Sequence, residues 1–343
     1  MSKINVLVAG STGYIGIQLT KILANHKKIN IKYLCGNSSI GKNISYFDKS
    51  LTKYKLPKII RFNKKLLNNI DVIFTALPNG ESQKISKFLL EKNTLIDLSA
   101  DFRLKKANDF LKWYKIKHKA KNMIKKSIYA LPEIKRNIIK NNKIISCPGC
   151  YPTSILLPLI PLLKKRLISN NNIIIDSKSG YSGAGRGVHK KYKRKNLYES
   201  LSVYGVAKHR HNSEIQQELD LNTGKKNNFH FTPHLSPMFR GIFTTIYIDL
   251  NKGVSVTQVN STLKKYYKKR IFVNIAKPET LLSTNDVINT NNCLISVCKS
   301  KNKNKLIILS VIDNLIKGGS GQAVQNMNIL YNFKENEGLS VKK

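Results

Sequence analysis

The chain has 343 residues, 41% of them hydrophobic, which is enough apolar material for the cores of two domains. It carries 60 Lys and Arg residues against 19 Asp and Glu residues, a formal net charge of +41 at pH 7. The basic residues are spread along the chain without zinc-finger spacing or a basic region followed by heptads. We therefore attribute them to compositional drift and expect no specific nucleic-acid binding. A positive field would still steer anionic substrates and cofactors towards a site.

Cysteine usage and hydropathy indicate the cellular compartment. The cysteines form an odd and sparse set that predicts no disulfide framework (Cys35, Cys147, Cys150, Cys293 and Cys298). No signal segment precedes the first strand-like run, and no apolar stretch reaches the ~18 residues that a membrane helix needs. We therefore expect a cytoplasmic protein with no membrane contact.

The first half of the chain, residues 1–149, alternates predicted strands with predicted helices. This alternation is typical of a parallel sheet covered on both faces, and the Lys-rich stretch 112–126 is predicted to be a solvated surface. Strands are predicted over residues 4–9, 29–34, 70–76 and 94–98, and helices over residues 15–24 and 82–90.

A glycine-rich turn links the first predicted strand to the first predicted helix. Glycines spaced in this way permit a tight turn and a close approach of backbone to pyrophosphate, which the helix dipole favours. The alternative is an ordinary glycine-rich turn. We predict that the whole turn binds a dinucleotide cofactor (Gly10, Ser11, Thr12, Gly13, Tyr14, Ile15 and Gly16).

The loop after the second predicted strand indicates which dinucleotide is bound. An acidic residue at this position would hold the ribose hydroxyls of NAD, and residues 35–42 contain none. The hydroxyl of Ser38, its neighbouring polar side chains and Lys42 suit the 2′-phosphate of NADP better. We predict NADP as the cofactor, the alternative being a plain surface loop.

A cysteine stands at the start of a further predicted helix, over residues 155–167. The helix dipole would stabilise the thiolate of Cys150, and Pro152 suits a first helical turn, so the setting is that of a nucleophile. Cys147 and Cys150 also form a Cys-x-x-Cys pair. A redox pair, a zinc site or a structural cysteine therefore remain open from the chemistry alone.

The second half of the chain mixes strand and helix patterns, which indicates a sheet of mixed or antiparallel type. Its last segment begins with glycines and becomes a helix over residues 318–330. Strands are predicted over residues 173–177, 229–231, 242–250, 271–275 and 306–311.

Polar stretches supply the base and the anion-binding groups that thiol acyl transfer needs. On a helix, His211 and Glu214 would share a face, so the carboxylate would orient the imidazole. The glycine loop over residues 179–186 and Arg103, after the strand at 94–98, are suited to anions. The alternatives are a polar helix start, a simple turn and a surface salt bridge, and the other histidines of the chain leave the choice of base open.

Taken together and in order, these segments resemble the N-acetyl-gamma-glutamyl-phosphate reductase family over nearly the whole chain. The aspartate-semialdehyde dehydrogenases, with the same fold and chemistry, are the nearest alternative, and a basic nucleic-acid-binding protein is a remote one. The resemblance rests on residues 10–16, 76–78, 97–103, 148–153, 179–186, 209–214, 234–241 and 313–326.

The resemblance implies a role for each matching residue. It places the nucleophile on Cys150 and the general base on His211, with Glu214 in support and no metal. It implies further cofactor contacts at Pro78, Ser182, Gly183 and Asn314. It also implies substrate contacts at Arg103, Arg186, His209 and Arg210.

The same resemblance implies the fold and the reaction. The fold would be a Rossmann-type NADP domain (residues 1–149), an α+β catalytic domain (150–317) and a C-terminal helix that returns to the NADP domain (318–343). The expected activity is NADPH-dependent reduction of an acyl phosphate to a semialdehyde in arginine biosynthesis. Members of the family are homodimers or homotetramers.

Overall fold

The computed structural model describes residues 3–187 and 199–341. They fall into two compact units. The first comprises Met1–Pro148 with Gly319–Leu339, and the second comprises Gly149–Gly318 with Ser340–Lys343. The change from one unit to the other therefore falls between Pro148 and Gly149, next to the predicted nucleophile.

The first unit is built on a parallel sheet of seven strands in the order β3-β2-β1-β4-β5-β7-β6. Strand β1 is mostly apolar, and its last four residues are buried because helices cover the sheet. Its strands are β1 (Ile4–Ala9), β2 (Ile29–Cys35), β3 (Ile59–Ile60), β4 (Val72–Thr75), β5 (Thr94–Asp97), β6 (Ser127–Tyr129) and β7 (Ile144–Ser146). Its first helices are α1 (Tyr14–Ala24), α2 (Ser82–Ser86), α3 (Ala107–Tyr114), α4 (Lys121–Ile124) and α5 (Pro132–Lys135).

The second unit is built on a mixed sheet of seven strands in the order β12-β13-β14-β11-β8-β10-β9. Helix α6 (Cys150–Lys164) packs against strands of this sheet and against α7 (His211–Thr223) and α8 (Val256–Tyr267). The strands are β8 (Ile173–Gly180), β9 (Ser202–Val203), β10 (Phe229–Ser236), β11 (Ile242–Asp249), β12 (Val273–Ile275), β13 (Cys293–Lys299) and β14 (Lys305–Ile312).

The last helix, α9 (Gly321–Leu330), belongs to the first unit. It follows a short π-helix at Ile316–Ser320. Although α9 is rich in Gln and Asn, it is buried, and several of its amide groups have partners: Gln325 donates to Glu133, and Asn328 binds His26. These hydrogen bonds offset the cost of burying polar side chains.

Helix α6 is buried on every side although Pro158 and Pro161 lie inside it. A proline lacks the N–H that would bond to the carbonyl four residues earlier, so Pro161 leaves the Leu157 carbonyl without its helical donor. The hydroxyl of Tyr267 in α8 donates to this carbonyl at 2.6 Å. A side chain from another helix thus replaces the missing backbone hydrogen bond.

The predicted fold class, a Rossmann-type sheet followed by an α+β unit, is confirmed. Individual elements differ from prediction. The helix predicted over 82–90 ends at Ser86, and α6 begins at Cys150, five residues before its predicted start. Within the Lys-rich stretch 112–126 the lysines are exposed, but His118 is buried, so this stretch is only partly a solvated surface.

Candidate active site

The glycine turn of the first unit has the three features that a dinucleotide turn needs. Gly10 has φ +84°, and a Cβ there would lie 2.3 Å from the Ala76 carbonyl oxygen. A Cβ at Gly16 would lie 2.1 Å from the Gly10 carbonyl oxygen, so this glycine permits close packing of helix and strand. A Cβ at Gly13 would meet only one atom within 4 Å, at 3.8 Å, which leaves this side of the turn open. A tight turn, an open middle glycine and a close-packed third glycine together fit a pyrophosphate.

The other predicted cofactor residues of this unit differ in how accessible they are. Ser38 and Pro78 are exposed, and Thr12, Tyr14 and Ile15 are half-buried. Ser11 is buried, and both its backbone N–H and its hydroxyl donate to the Cys35 carbonyl. The side chain of Ser11 therefore ties the turn to the end of β2.

A buried carboxylate that the sequence analysis did not assign supports the loop after β4. Asp101 accepts hydrogen bonds from the backbone N–H groups of Gly80 at 2.7 Å and Gln83 at 3.1 Å. Burial, together with the neighbouring Asp97, raises the pKa of Asp101 to about 7. This carboxyl holds the loop that carries Pro78. The only sequence feature that could have indicated this role is the position of Asp101 shortly after the strand at 94–97.

Arg103, predicted as a substrate clamp, is 8% exposed. Its Nε–H donates to the Cys147 carbonyl at 2.8 Å, and its terminal nitrogen donates to the Leu98 carbonyl at 3.1 Å. These contacts brace the segments that follow β5 and β7. Its role towards substrate stays a prediction.

Cys150 is the first residue of α6, and Gly149 is the N-cap. It is half-exposed, whereas the other four cysteines are buried. Burial raises the pKa of Cys147 to about 12, and the Cys147 sulfur accepts from Asn326 at 3.7 Å. A buried, protonated Cys147 does not suit a redox pair with Cys150.

The predicted base and its carboxylate lie together on α7. The Nε2 atom of His211 is 3.7 Å from Oε1 of Glu214, a separation that allows ion pairing but is long for a hydrogen bond. The other carboxylate oxygen of Glu214, which is fully buried, accepts the Gly149 N–H at 3.0 Å. Glu214 therefore connects the histidine helix to the residue before Cys150.

Gly149 has to be a glycine for reasons of space. Its φ of −66° is open to any residue, but a Cβ there would lie 2.4 Å from Nε2 of His211. On the other side of the cysteine, a Cβ at Gly318 would lie 2.6 Å from the Cβ of Cys150. The imidazole of His211 and the backbone of Gly318 therefore lie so close to the start of α6 that a Cβ at Gly149 or at Gly318 would clash.

An aromatic cluster surrounds the two histidines. Tyr151 meets His209 and His211 edge to face, with ring centroids 5.6 Å and 5.8 Å apart. The two imidazoles are 4.7 Å apart, and the Nδ1 atom of His209 accepts the His211 N–H at 3.2 Å. We call this set the aromatic cluster: Tyr151, Tyr204, His209, His211 and Phe231.

Asn314 and the glycine loop lie together in the second unit. The side chain of Asn314 donates to the Ser182 hydroxyl at 3.0 Å and accepts the Gly241 N–H at 2.7 Å. A Cβ at Gly183 would lie 3.5 Å from the Asn314 amide nitrogen. Three of the predicted cofactor residues are therefore neighbours, and Asn314 fixes two loops at once.

The remaining predicted substrate residues are accessible. Arg186 and Arg210 are exposed, and His209 is half-buried within the aromatic cluster. Sequence reasoning missed Arg240, which binds Asp313 at 3.2 Å and the Asn289 side chain at 2.7 Å. Arg240 and Asp313 are 73 positions apart, so no local sequence pattern could have revealed their ion pair.

Two family models match the two halves of the chain. The model of the semialdehyde dehydrogenase NAD binding domain matches residues 5–142, and that of the semialdehyde dehydrogenase dimerisation domain matches residues 150–314. Proteins named N-acetyl-gamma-glutamyl-phosphate reductase are 41% identical in Ehrlichia canis and 43% identical in Vesicomyosocius okutanii. Each comparison covers 98% of both chains. A protein named probable N-acetyl-gamma-glutamyl-phosphate reductase, chloroplastic, from Arabidopsis thaliana is 40% identical over 98% of this chain and 84% of its own.

Solved structures of aspartate semialdehyde dehydrogenases share the fold. The Vibrio cholerae enzyme II has a TM-score of 0.71 at 14% identity, over 97% of this chain and 99% of that one. The Candida albicans enzyme with NADP has a TM-score of 0.68 at 16% identity, over 96% of this chain and 99% of that one. Within residues 3–187 and 199–341, no helix is both long and apolar enough to cross a membrane.

Proposed function

The chain belongs to the N-acetyl-gamma-glutamyl-phosphate reductase family, and we propose that it is an NADP-dependent reductase of arginine biosynthesis. Its substrate would be N-acetyl-gamma-glutamyl phosphate, and its products N-acetylglutamate semialdehyde and phosphate. The names of relatives at about 40% identity favour this substrate over aspartyl phosphate, because the aspartate-semialdehyde dehydrogenases are related at 14–16%.

The observation that carries the proposal is the arrangement at the start of α6. A half-exposed cysteine occupies the first helical position, where the dipole favours a thiolate. The imidazole of His211 lies against the preceding Gly149, whose N–H is held by Glu214. A thiol, a base and a buried carboxylate are the groups that an acyl-transfer enzyme needs.

The first unit would hold the cofactor. The open side of Gly13 would receive the pyrophosphate, and Ser38 would lie towards the 2′-phosphate. In the second unit, Ser182, Gly183 and Asn314 form a connected group that would contact the cofactor. When bound, NADPH supplies the hydride that reduces the acyl group.

The chain's own residues would perform acyl transfer. The Cys150 thiolate attacks the carbonyl carbon of the acyl phosphate, and the C–O bond to phosphate breaks, leaving a thioester on Cys150. His211 would protonate the oxygen as the thiohemiacetal forms on Cys150. It would take this proton back as the C–S bond breaks, which releases the semialdehyde and returns the Cys150 thiolate. Glu214 would stabilise the imidazolium form of His211 from 3.7 Å.

Cationic side chains would hold the anionic ends of the substrate. Arg186 and Arg210 are exposed, and His209 lies beside His211. Arg103 would act from the loop after β5, where it already braces two carbonyls. Arginine suits phosphate and carboxylate because its guanidinium binds both in a forked geometry.

A homodimer or a homotetramer is the proposed assembly. One face of the second sheet carries exposed apolar side chains from neighbouring strands, among them Ile174 of β8 and Tyr247 of β11, which are 48% and 43% exposed. Half-exposed Phe243, Ile307 and Leu309 continue this face. The dimerisation-domain match over residues 150–314 supports its use as an interface.

The reverse reaction tests the proposed function. Purified protein should reduce NADP continuously in the presence of N-acetylglutamate semialdehyde only when phosphate is added, and it should act far less on aspartate semialdehyde. The Cys150→Ser variant should lose at least 10³-fold in rate, because a hydroxyl is a much poorer nucleophile than a thiolate. Full activity of the serine variant would overturn the proposal.

A further inference from the structure

Tyr151 follows the proposed nucleophile in the chain and takes no part in the chemistry proposed above. It is 2% exposed, and it is among the largest fully enclosed side chains of the protein. Its ring meets His209, His211 and Phe231 edge to face. Aromatic contacts of this kind fix the relative orientation of rings as well as burying area.

The hydroxyl of Tyr151 is anchored at its far end. It donates to the His234 carbonyl of β10 at 3.0 Å, and it accepts a hydrogen bond from the Tyr204 hydroxyl at 3.1 Å. The Ser179 hydroxyl, at the end of β8, also interacts with it. The ring is thus held between two strands of the sheet and cannot shift without breaking these hydrogen bonds.

We propose that Tyr151 is a positioning residue that fixes the imidazoles of His209 and His211 relative to Cys150. The backbone of α6 carries Cys150 and Tyr151 at successive positions, so one helix places both the thiol and the ring that orients the base. The anchored hydroxyl makes this orientation rigid. A base displaced by about 1 Å loses rate on the order of 10²-fold.

The inference rests on the proposed function for the identity of the base. The contacts by which Tyr151 orients His209 and His211 do not depend on that function. Burial raises the pKa of Tyr151 well above its ordinary value, so its hydroxyl remains protonated and able to donate at neutral pH. A proton donor fixed in this state serves as an anchor.

The chain offers a matched control. Tyr267 is also buried, and its hydroxyl also donates to a backbone carbonyl, that of Leu157 in the middle of α6. Tyr151→Phe and Tyr267→Phe each remove one buried hydroxyl associated with the same helix. Only the first removes an anchor of the aromatic cluster.

Both variants should lose comparable thermal stability, but their kinetics should differ. We expect Tyr151→Phe to lower kcat about 10-fold with KM changed less than 2-fold, and to shift the acidic limb of the pH profile of kcat/KM. Tyr267→Phe should stay within 2-fold of the parent in kcat, with the same profile. Tyr204→Phe, at a half-buried position, should lower kcat by a smaller factor. Equal kcat values and pH profiles for the two buried-tyrosine variants would overturn the inference.

A second readout does not depend on the proposed reaction. The second-order rate of Cys150 alkylation by iodoacetamide, followed against pH, should fall several-fold near pH 7 in Tyr151→Phe and stay unchanged in Tyr267→Phe. An inactive parent protein whose alkylation still responds to Tyr151→Phe would refute the proposed function and leave the positioning role standing. Unchanged alkylation alongside unchanged kinetics would refute the positioning role alone.

Discussion

A single methyl group added at Gly149 should disable the site with little loss of fold. In Gly149→Ala the new Cβ would lie 2.4 Å from Nε2 of His211, against the 3.4 Å at which ordinary contact begins. The imidazole must therefore retreat by about 1.0 Å, since the backbone φ of −66° already suits alanine. A displacement of that size costs on the order of 10²-fold in rate, or about 2.7 kcal/mol of transition-state stabilisation.

The cost to folding should be smaller. Alanine is a poor N-cap compared with glycine, so the free energy of unfolding should fall by about 1 kcal/mol. Gly253→Ala is the matched control, because a Cβ there meets nothing within 4 Å while φ is +80°. The strain at Gly253 should cost about 1 kcal/mol of stability and leave kcat unchanged.

The assay is phosphate-dependent NADP reduction by both variants, with unfolding followed in urea. We expect kcat/KM of Gly149→Ala to fall about 100-fold while Gly253→Ala matches the parent. If Gly149→Ala kept more than half of the parental kcat/KM, the close approach of His211 to Gly149 would have no bearing on catalysis, and His211 would not be the base.

Three further predictions concern stability and thiol reactivity. Tyr267→Phe leaves the Leu157 carbonyl without a donor and should cost about 1–3 kcal/mol in urea unfolding, whereas Tyr266→Phe on the half-exposed neighbour should cost less than half of that. Burial lowers the pKa of His118 below its ordinary 6.5, and its Nε2–H donates to the Asp101 carbonyl while Nδ1 accepts the Ala120 N–H. The unfolded chain therefore takes up a proton at His118 first, so the contribution of His118 to stability should fall as pH drops below about 6.5, whereas the raised pKa of Asp101 acts in the opposite direction. His118→Gln should therefore raise the melting temperature at pH 5.5 relative to that at pH 7.5, compared with the parent, and an unchanged difference would contradict this. Iodoacetamide should add one label to the native protein and none to Cys150→Ser, because the other four thiols are buried; labelling of Cys147 would contradict the described burial.

The sequence predicted the parts of the molecule that local patterns determine. The glycine turn could be identified because Gly10, Gly13 and Gly16 follow a strand and open a helix. His211 and Glu214 lie on one face of α7 as their spacing implies. The ordered set of motifs also indicated the family, which the relatives at about 40% identity confirm.

The elements that were missed carry little local signal. Strands β3 and β9 have two residues each, too few for any alternation to be visible. Strand β13 is buried on both faces over most of its length, so its residues do not alternate between apolar and polar. Helix α8 turns only a narrow apolar stripe inward, around Val259 and Leu263.

The contacts that shape the site join distant parts of the chain. Tyr151 reaches the His234 carbonyl 83 residues later, and Glu214 reaches the Gly149 N–H 65 residues earlier. Such partners are set by how the helices pack on the sheet, and no spacing rule relates them. Arg103 illustrates the same point, since its motif suggested an anion clamp while its guanidinium braces the Cys147 carbonyl.

A single-turnover experiment tests the covalent step most directly. Enzyme mixed with N-acetylglutamate semialdehyde and excess NADP, without phosphate, should form one equivalent of NADPH per chain and then stop. Intact mass and peptide mapping should place one N-acetylglutamyl group on Cys150, and added phosphate should release it. Continuous turnover without phosphate, or a stoichiometric burst with no acyl group on Cys150, would contradict the account.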